Sequence, residues 1–76
     1  MKELLTYIAQ SLVDHPEQVE VNEYQSQGET TLELRVATEA MGKVIGRQGR
    51  IAKWIRVLMR SVGQRKGLRV SVEISD

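Results

Sequence analysis

Leu4, Leu5, Ile8, Leu12 and Val13 recur at three- and four-residue spacings, which predicts an amphipathic helix over residues 2 to 14, closed by Pro16. The period then changes to two. The segments "QVEVNEYQ" and "TTLELRVA" alternate apolar and polar positions, with Val19 and Val21 on one face of the first and Thr30, Leu32, Leu34 and Val36 on one face of the second. They predict a hairpin whose turn, "SQGE", uses Gly28 for the positive backbone dihedral that a tight connection favours. Thr38 is placed to N-cap a short helix through "EAMGKVI", with Glu39 in its first turn. Ile51, Ile55, Leu58 and Val62 then form a second helical stripe that ends before Gly63. Alternation returns in "LRVSVEIS", which points Leu68, Val70, Val72 and Ile74 inward.

The element order is therefore α-β-β-α-α-β, and each element has a single apolar face to bury. A three-stranded sheet with three helices on one face is the compact α+β solution for that order. The expectation is one domain over residues 1 to 76, without repeats, low-complexity tracts or linkers. A chain this short buries only about 60% of the surface it exposes when unfolded, which leaves no room for a deep substrate cavity or a second core. Having no cysteine, it must hold together by apolar packing rather than disulfides or thiolate metal sites. No apolar run reaches the roughly 18 to 20 residues of a membrane span, and "MKELLTYIAQSLVDHP" is too polar for a signal peptide, so a cytoplasmic protein is expected.

Formal net charge is only +1, but that value averages two opposed halves. Residues 1 to 40 carry Lys2 and Arg35 against eight acids, a net −6. Residues 41 to 67 carry Lys43, Arg47, Arg50, Lys53, Arg56, Arg60, Arg65 and Lys66 against no acid, a net +8, and the last nine residues contribute −1. A solvated basic helix face is one explanation. Complete exclusion of acid over this length goes further than solvation requires and suits a surface that steers a polyanion.

The basic segment also contains Gly42, Gly46 and Gly49. A P-loop would need Lys and then Ser or Thr after its last glycine, where Arg50 and Ile51 stand, and a dinucleotide fingerprint would need glycine in place of Val44. What remains is a glycine pair around Arg47 and Gln48, between two short helical segments and preceded by Val44 and Ile45. Glycines at 46 and 49 remove β-carbons that would hold a sugar-phosphate chain away. A helix beginning near Gly49 aims unpaired N–H groups and a positive dipole end at the same place. Arg47, Arg50 and the nearby Lys43 and Lys53 add charge, and Gln48 a neutral donor. Bases projecting from such a backbone would lie between Val44 and Ile45 on one side and the second strand, residues 30 to 36, on the other, although core packing is the competing role for the two aliphatics. On the following helix Lys53, Arg56 and Arg60 form one stripe, while Trp54, Val57 and Ser61 form a flank that is neither core nor basic. That flank reads as core rim, base-stacking platform or protein contact, and a dimer interface is the favoured reading.

The run V-I-G-R-Q-G, within "GKVIGRQGRIAKWIR" and the α-β-β-α-α-β order, resembles the signature of KH domains, in particular the prokaryotic type II arrangement of small bacterial single-KH proteins of the KhpA type. In KH domains a G-x-x-G loop clamps about four nucleotides of a single strand. The resemblance covers the whole chain. One departure is Ala52, where many KH domains carry a larger aliphatic residue; Ile51 and Ile55 are expected to supply that packing. The resemblance implies binding of single-stranded RNA with low sequence specificity through Lys43, Val44, Ile45, Gly46, Arg47, Gln48, Gly49, Arg50 and Lys53. It also implies an RNA chaperone or post-transcriptional regulator, linked in such proteins to cell shape and cell-wall organisation. Partners would be a second copy or a larger KH-domain protein, meeting Trp54, Val57 and Ser61. A protein-interaction module that kept the fold and docks through Trp54 is the alternative.

Catalysis is not expected. His15 is the only histidine and sits beside Pro16, the basic segment contains no acid, and Ser11, Ser26, Ser61, Ser71 and Ser75 have no partner base. No cofactor, metal, membrane or small-molecule substrate is implied.

Overall fold

The computed structural model describes all of residues 1–76. Three helices, α1 (Lys2–Leu12), α2 (Met41–Ile45) and α3 (Arg50–Arg65), and three strands, β1 (Glu20–Ser26), β2 (Glu29–Arg35) and β3 (Arg69–Ser75), follow the expected order, with short 3-10 turns at Pro16–Gln18, Thr38–Ala40 and Arg47–Gly49. β1 and β2 pair antiparallel, Glu20 opposite Arg35 and Ser26 opposite Glu29. Gln27 (φ 53°) and Gly28 (φ 79°) are both left-handed, the two-residue turn whose twist matches that of the strands it joins. β2 is the central strand and pairs parallel with β3, Glu29 beside Arg69 through Arg35 beside Ser75. A parallel neighbour requires a crossover, and α2 and α3 supply it.

The alternation in the strands and the helical stripes converge on one core. Val21, Leu32, Leu34, Val36, Val70 and Val72 from the sheet meet Leu5 and Ala9 of α1, Val44 of α2 and Ile55 and Met59 of α3. Leu5, Leu32, Leu34, Val44, Ile55 and Met59 are completely enclosed, each contributing about 1.5–3 kcal/mol relative to an exposed side chain. The opposite face of the sheet is polar. There Glu33 Oε1 accepts from Asn22 Nδ2 and from the Tyr24 hydroxyl, each at 3.3 Å, and the Thr31 and Ser71 hydroxyls lie 3.3 Å apart across β2 and β3.

Three local expectations are corrected. The deepest line of α3 is Ala52, Ile55, Met59 and Gly63, whereas Ile51, Leu58 and Val62 are only half-buried. Ala52 is itself a core residue rather than a gap filled by its neighbours, and Gly63 lies inside the helix, where a β-carbon would collide with the Val70 side chain. Gly63, at the C-terminal end of this line, lets α3 settle close to β3. Thr38 caps nothing: its hydroxyl donates instead to the Asp76 carboxylate at 3.1 Å, and Ala37 precedes the turn. Leu68 lies outside the strand and is exposed rather than inward.

Candidate nucleic-acid interface

α2 stops at Gly46, whose backbone (φ 77°, ψ 175°) lies in a region that glycine alone occupies freely. The Gly46 N–H still closes the helix by donating to the Gly42 carbonyl at 2.9 Å, and the Gly49 N–H donates to the Gly46 carbonyl at 3.2 Å. Gln48 (φ 58°, ψ 25°) and Gly49 (φ 74°, ψ 15°) are both left-handed, so positive dihedrals at Gly46, Gln48 and Gly49 turn the chain from the end of α2 directly into α3. The two glycines serve different ends. A β-carbon on Gly46 would stand 2.6 Å from Ile51 Cγ1, whereas one on Gly49 would meet nothing within 4 Å. Gly46 therefore clears space for the protein's own Ile51, whereas the space beside Gly49 is open.

Gly49 is the N-cap of α3 and no side chain caps the first turn. A helix start of this kind presents backbone donors and a positive dipole end to an anion. Arg47, Gln48, Arg50 and Lys53 flank it in the chain and are exposed, and Arg50 Nη2 donates to Gln48 Oε1 at 3.3 Å, tying the loop tip to the first turn of α3; Lys43, also exposed, lines a shallow concavity with His15, Val36 and Ala40. The cations are uncompensated. The only close cation–carboxylate contacts in the molecule are the terminal amine with Glu3 (3.5 Å) and the His15 imidazole, when protonated, with Glu17 (3.6 Å), so none of the eight basic residues between positions 41 and 67 has a carboxylate within 4.0 Å.

Two residues expected to line a base groove are placed differently. Val44 is fully enclosed in the core and has no surface to offer; it supports the loop from beneath. Ile45 is half-buried and keeps an accessible face beside the loop. The second strand cannot form the far wall, because β2 is central in the sheet and Thr30, Leu32, Leu34 and Val36 are buried. α3 packs chiefly on β3, whose outer edge is open. Sequence alone did not single out Arg56 there, yet its Nε donates to the Val72 carbonyl at 3.3 Å. The most enclosed concavity, about 50 Å³ between Val13, His15, Val36, Ala40 and Lys43, is far below the few hundred Å³ of a ligand pocket. No three His, Asp or Glu side chains are placed to hold a metal ion.

On the other flank of α3, Trp54 (54% exposed), Val57 (49%) and Ser61 lie at the surface, as the helical projection requires. Leu4 and Tyr7 of α1 are exposed as well. No helix is long and apolar enough to cross a membrane.

A central strand flanked by one antiparallel and one parallel neighbour, reached through two helices joined by a glycine-framed turn, defines a KH domain with the type II order. The chain belongs to the KhpA/KhpB KH-domain family, whose family model matches residues 2–74. It is 53% identical over 74 residues to the RNA-binding protein KhpA of Clostridium acetobutylicum, covering 97% of this chain and 99% of that protein. Against the RNA-binding protein KhpA of Chlamydia pneumoniae it is 47% identical over 76 residues, covering 100% and 97% of the two chains. Against that of Listeria monocytogenes it is 45% identical over 74 residues, with 97% of each chain covered. Among solved structures, Aquifex aeolicus Era bound to GDP.AlF4- superposes with a TM-score of 0.67 at 19% identity, over 97% of this chain and 29% of that one. Era in complex with MgGDPNP and nucleotides 1506–1542 of 16S ribosomal RNA gives a TM-score of 0.61 at 18% identity, over 97% and 28%. These likenesses show the fold, which recurs as a segment of a much longer chain. The family is not enzymatic.

Proposed function

We propose that this protein binds short single-stranded RNA, seating the sugar-phosphate backbone on the turn from Gly46 to Gly49 and the first turn of α3. The observation that carries the reading is the open N-terminus of α3 at Gly49, with no capping side chain and flanked in the chain by Arg47, Arg50 and Lys53, none of them paired with an acid. Gln48 adds a neutral donor at the tip, and Ile45 offers the apolar contact on which a base can rest. Phosphate contacts of this kind carry no sequence information, so binding has low specificity unless base edges are read elsewhere. The names of the relatives support RNA as the ligand. An RNA chaperone or post-transcriptional regulator acting in the cytoplasm, with effects on cell shape and cell-wall organisation, is the biological role consistent with it.

The direct test is an NMR titration with a short single-stranded oligonucleotide, in which the amides of Gly46 to Lys53 shift first. Shifts confined to the outer face of the sheet or to the Trp54 flank would sink the reading.

A second reading rests on Trp54 and Val57, two large apolar side chains left about half exposed on a helix whose other apolar side chains are buried or half-buried. They form the anchor of a protein contact, with a second copy or with a larger KH-domain protein. The two readings are compatible, since they use different residues. Pairing two weak single-strand sites would raise affinity through effective concentration.

A further inference from the structure

Lys53, Arg56 and Arg60 share one exposed stripe of α3, but only Arg56 is anchored. Its Nε donates to the carbonyl oxygen of Val72 at 3.3 Å. That carbonyl lies on the open edge of the sheet. Backbone groups alternate from side to side along a strand, and the Ser75 carbonyl accepts the Val36 N–H, so the odd-numbered residues of β3 face β2 while Val70, Val72 and Ile74 turn their backbone outward. The guanidinium is thus fixed at the seam between α3 and the free strand edge.

A guanidinium carries five N–H donors in one plane, and with Nε committed to Val72 the four on the two terminal nitrogens remain. A fixed, flat pair of donors matches a phosphate, and it matches equally a base edge with two adjacent acceptors, which a flexible ammonium does not. Guanine carries such an edge in O6 and N7, whereas adenine places an amino donor beside its N7. Arg56 stands seven residues beyond Gly49, roughly 10 Å along the helix axis, so it reaches past the nucleotide whose phosphate rests on the loop.

We propose that Arg56, pinned by Val72, reads one base of the bound strand and selects guanine over adenine at that position. The assignment rests on the loop being the RNA site, because the loop sets the register that brings a base to the seam. Anchoring in the free protein means that the side chain is ordered before RNA arrives, which lowers the cost of binding.

The test measures affinities of the wild type and Arg56→Lys for short oligouridines carrying a single guanosine or a single adenosine at successive central positions, by fluorescence anisotropy. The wild type should prefer guanosine by about tenfold at one position. Arg56→Lys keeps the charge but loses the fork, so the ratio should fall to near one while the salt dependence stays as in the wild type. Equal binding of the two oligonucleotides by the wild type, or an unchanged ratio in Arg56→Lys, overturns the assignment alone. Failure of the wild type to bind any of them overturns the loop reading and the assignment together.

Discussion

Ile51 occupies the space that a side chain on Gly46 would need: a β-carbon there would lie 2.6 Å from Ile51 Cγ1 and 2.9 Å from its Cβ. The loop that faces solvent is therefore held from inside, by the first apolar residue of the helix it introduces. Gly49 has no such neighbour. Gly46→Ala should destabilise the fold by about 3 kcal/mol, combining a backbone region closed to alanine with overpacking, whereas Gly49→Ala should cost about 1–2 kcal/mol for the left-handed conformation alone. Urea denaturation compares the two, and equal losses would contradict the packing role of Gly46.

Trp54 and Val57 should hold protomers together rather than hold the domain together, since both are about half exposed. Trp54→Ala should shift the protein toward monomer in sedimentation velocity while changing the unfolding midpoint little. An association state identical to the wild type would remove this face as an interface.

Tyr24 should lose its phenolic proton above the ordinary value of 10.0, chiefly because the nearby Glu33 carboxylate disfavours the phenolate, with slight desolvation and the hydrogen bond to Glu33 adding to the effect. A pKa raised in the folded state contributes stability that is fully present below the ordinary value and is lost as pH rises through the raised one. Titration of Tyr24 therefore leaves the pair untouched near neutrality and weakens it in alkali. In a Tyr7→Phe background, an ultraviolet titration should show Glu33→Gln moving the Tyr24 midpoint down toward 10.0. A midpoint unmoved by the substitution would refute the role of Glu33.

Neutralising two to three phosphates at the loop predicts that log affinity for single-stranded RNA falls against log salt with a slope of about −1.5 to −2. A flat dependence would point to an apolar ligand instead. A much steeper slope would mean that Arg60, Arg65 and Lys66 also carry phosphates.

The element order was legible in the chain because the strands alternate cleanly and the helices repeat at three and four residues. The helix α3 misled in a specific way. Branched aliphatics at 51, 55, 58 and 62 outweigh Ala52 and Gly63 on any hydropathy reading, yet both small residues are buried along with Met59, and Gly63 marks where helix and strand approach too closely for a β-carbon. The loop itself was readable from Gly46, Arg47, Gln48 and Gly49, but not the division of work between its glycines, because Ile51 meets Gly46 only once the turn has closed. Val44 looked like a groove residue for a similar reason: alternating roles of neighbouring aliphatics depend on which face the five-residue α2 turns to the sheet. Arg56 was hidden among other cations, since its partner is a backbone carbonyl sixteen residues away.

The most direct test of the account replaces Arg47 and Gln48 together by Asp, setting two carboxylates where phosphate is to sit, and measures affinity for single-stranded RNA beside the circular dichroism spectrum. Both positions are exposed and make no core contact, so the fold should be retained. RNA binding should be lost with an unchanged spectrum. Wild-type affinity in the folded double variant would contradict it.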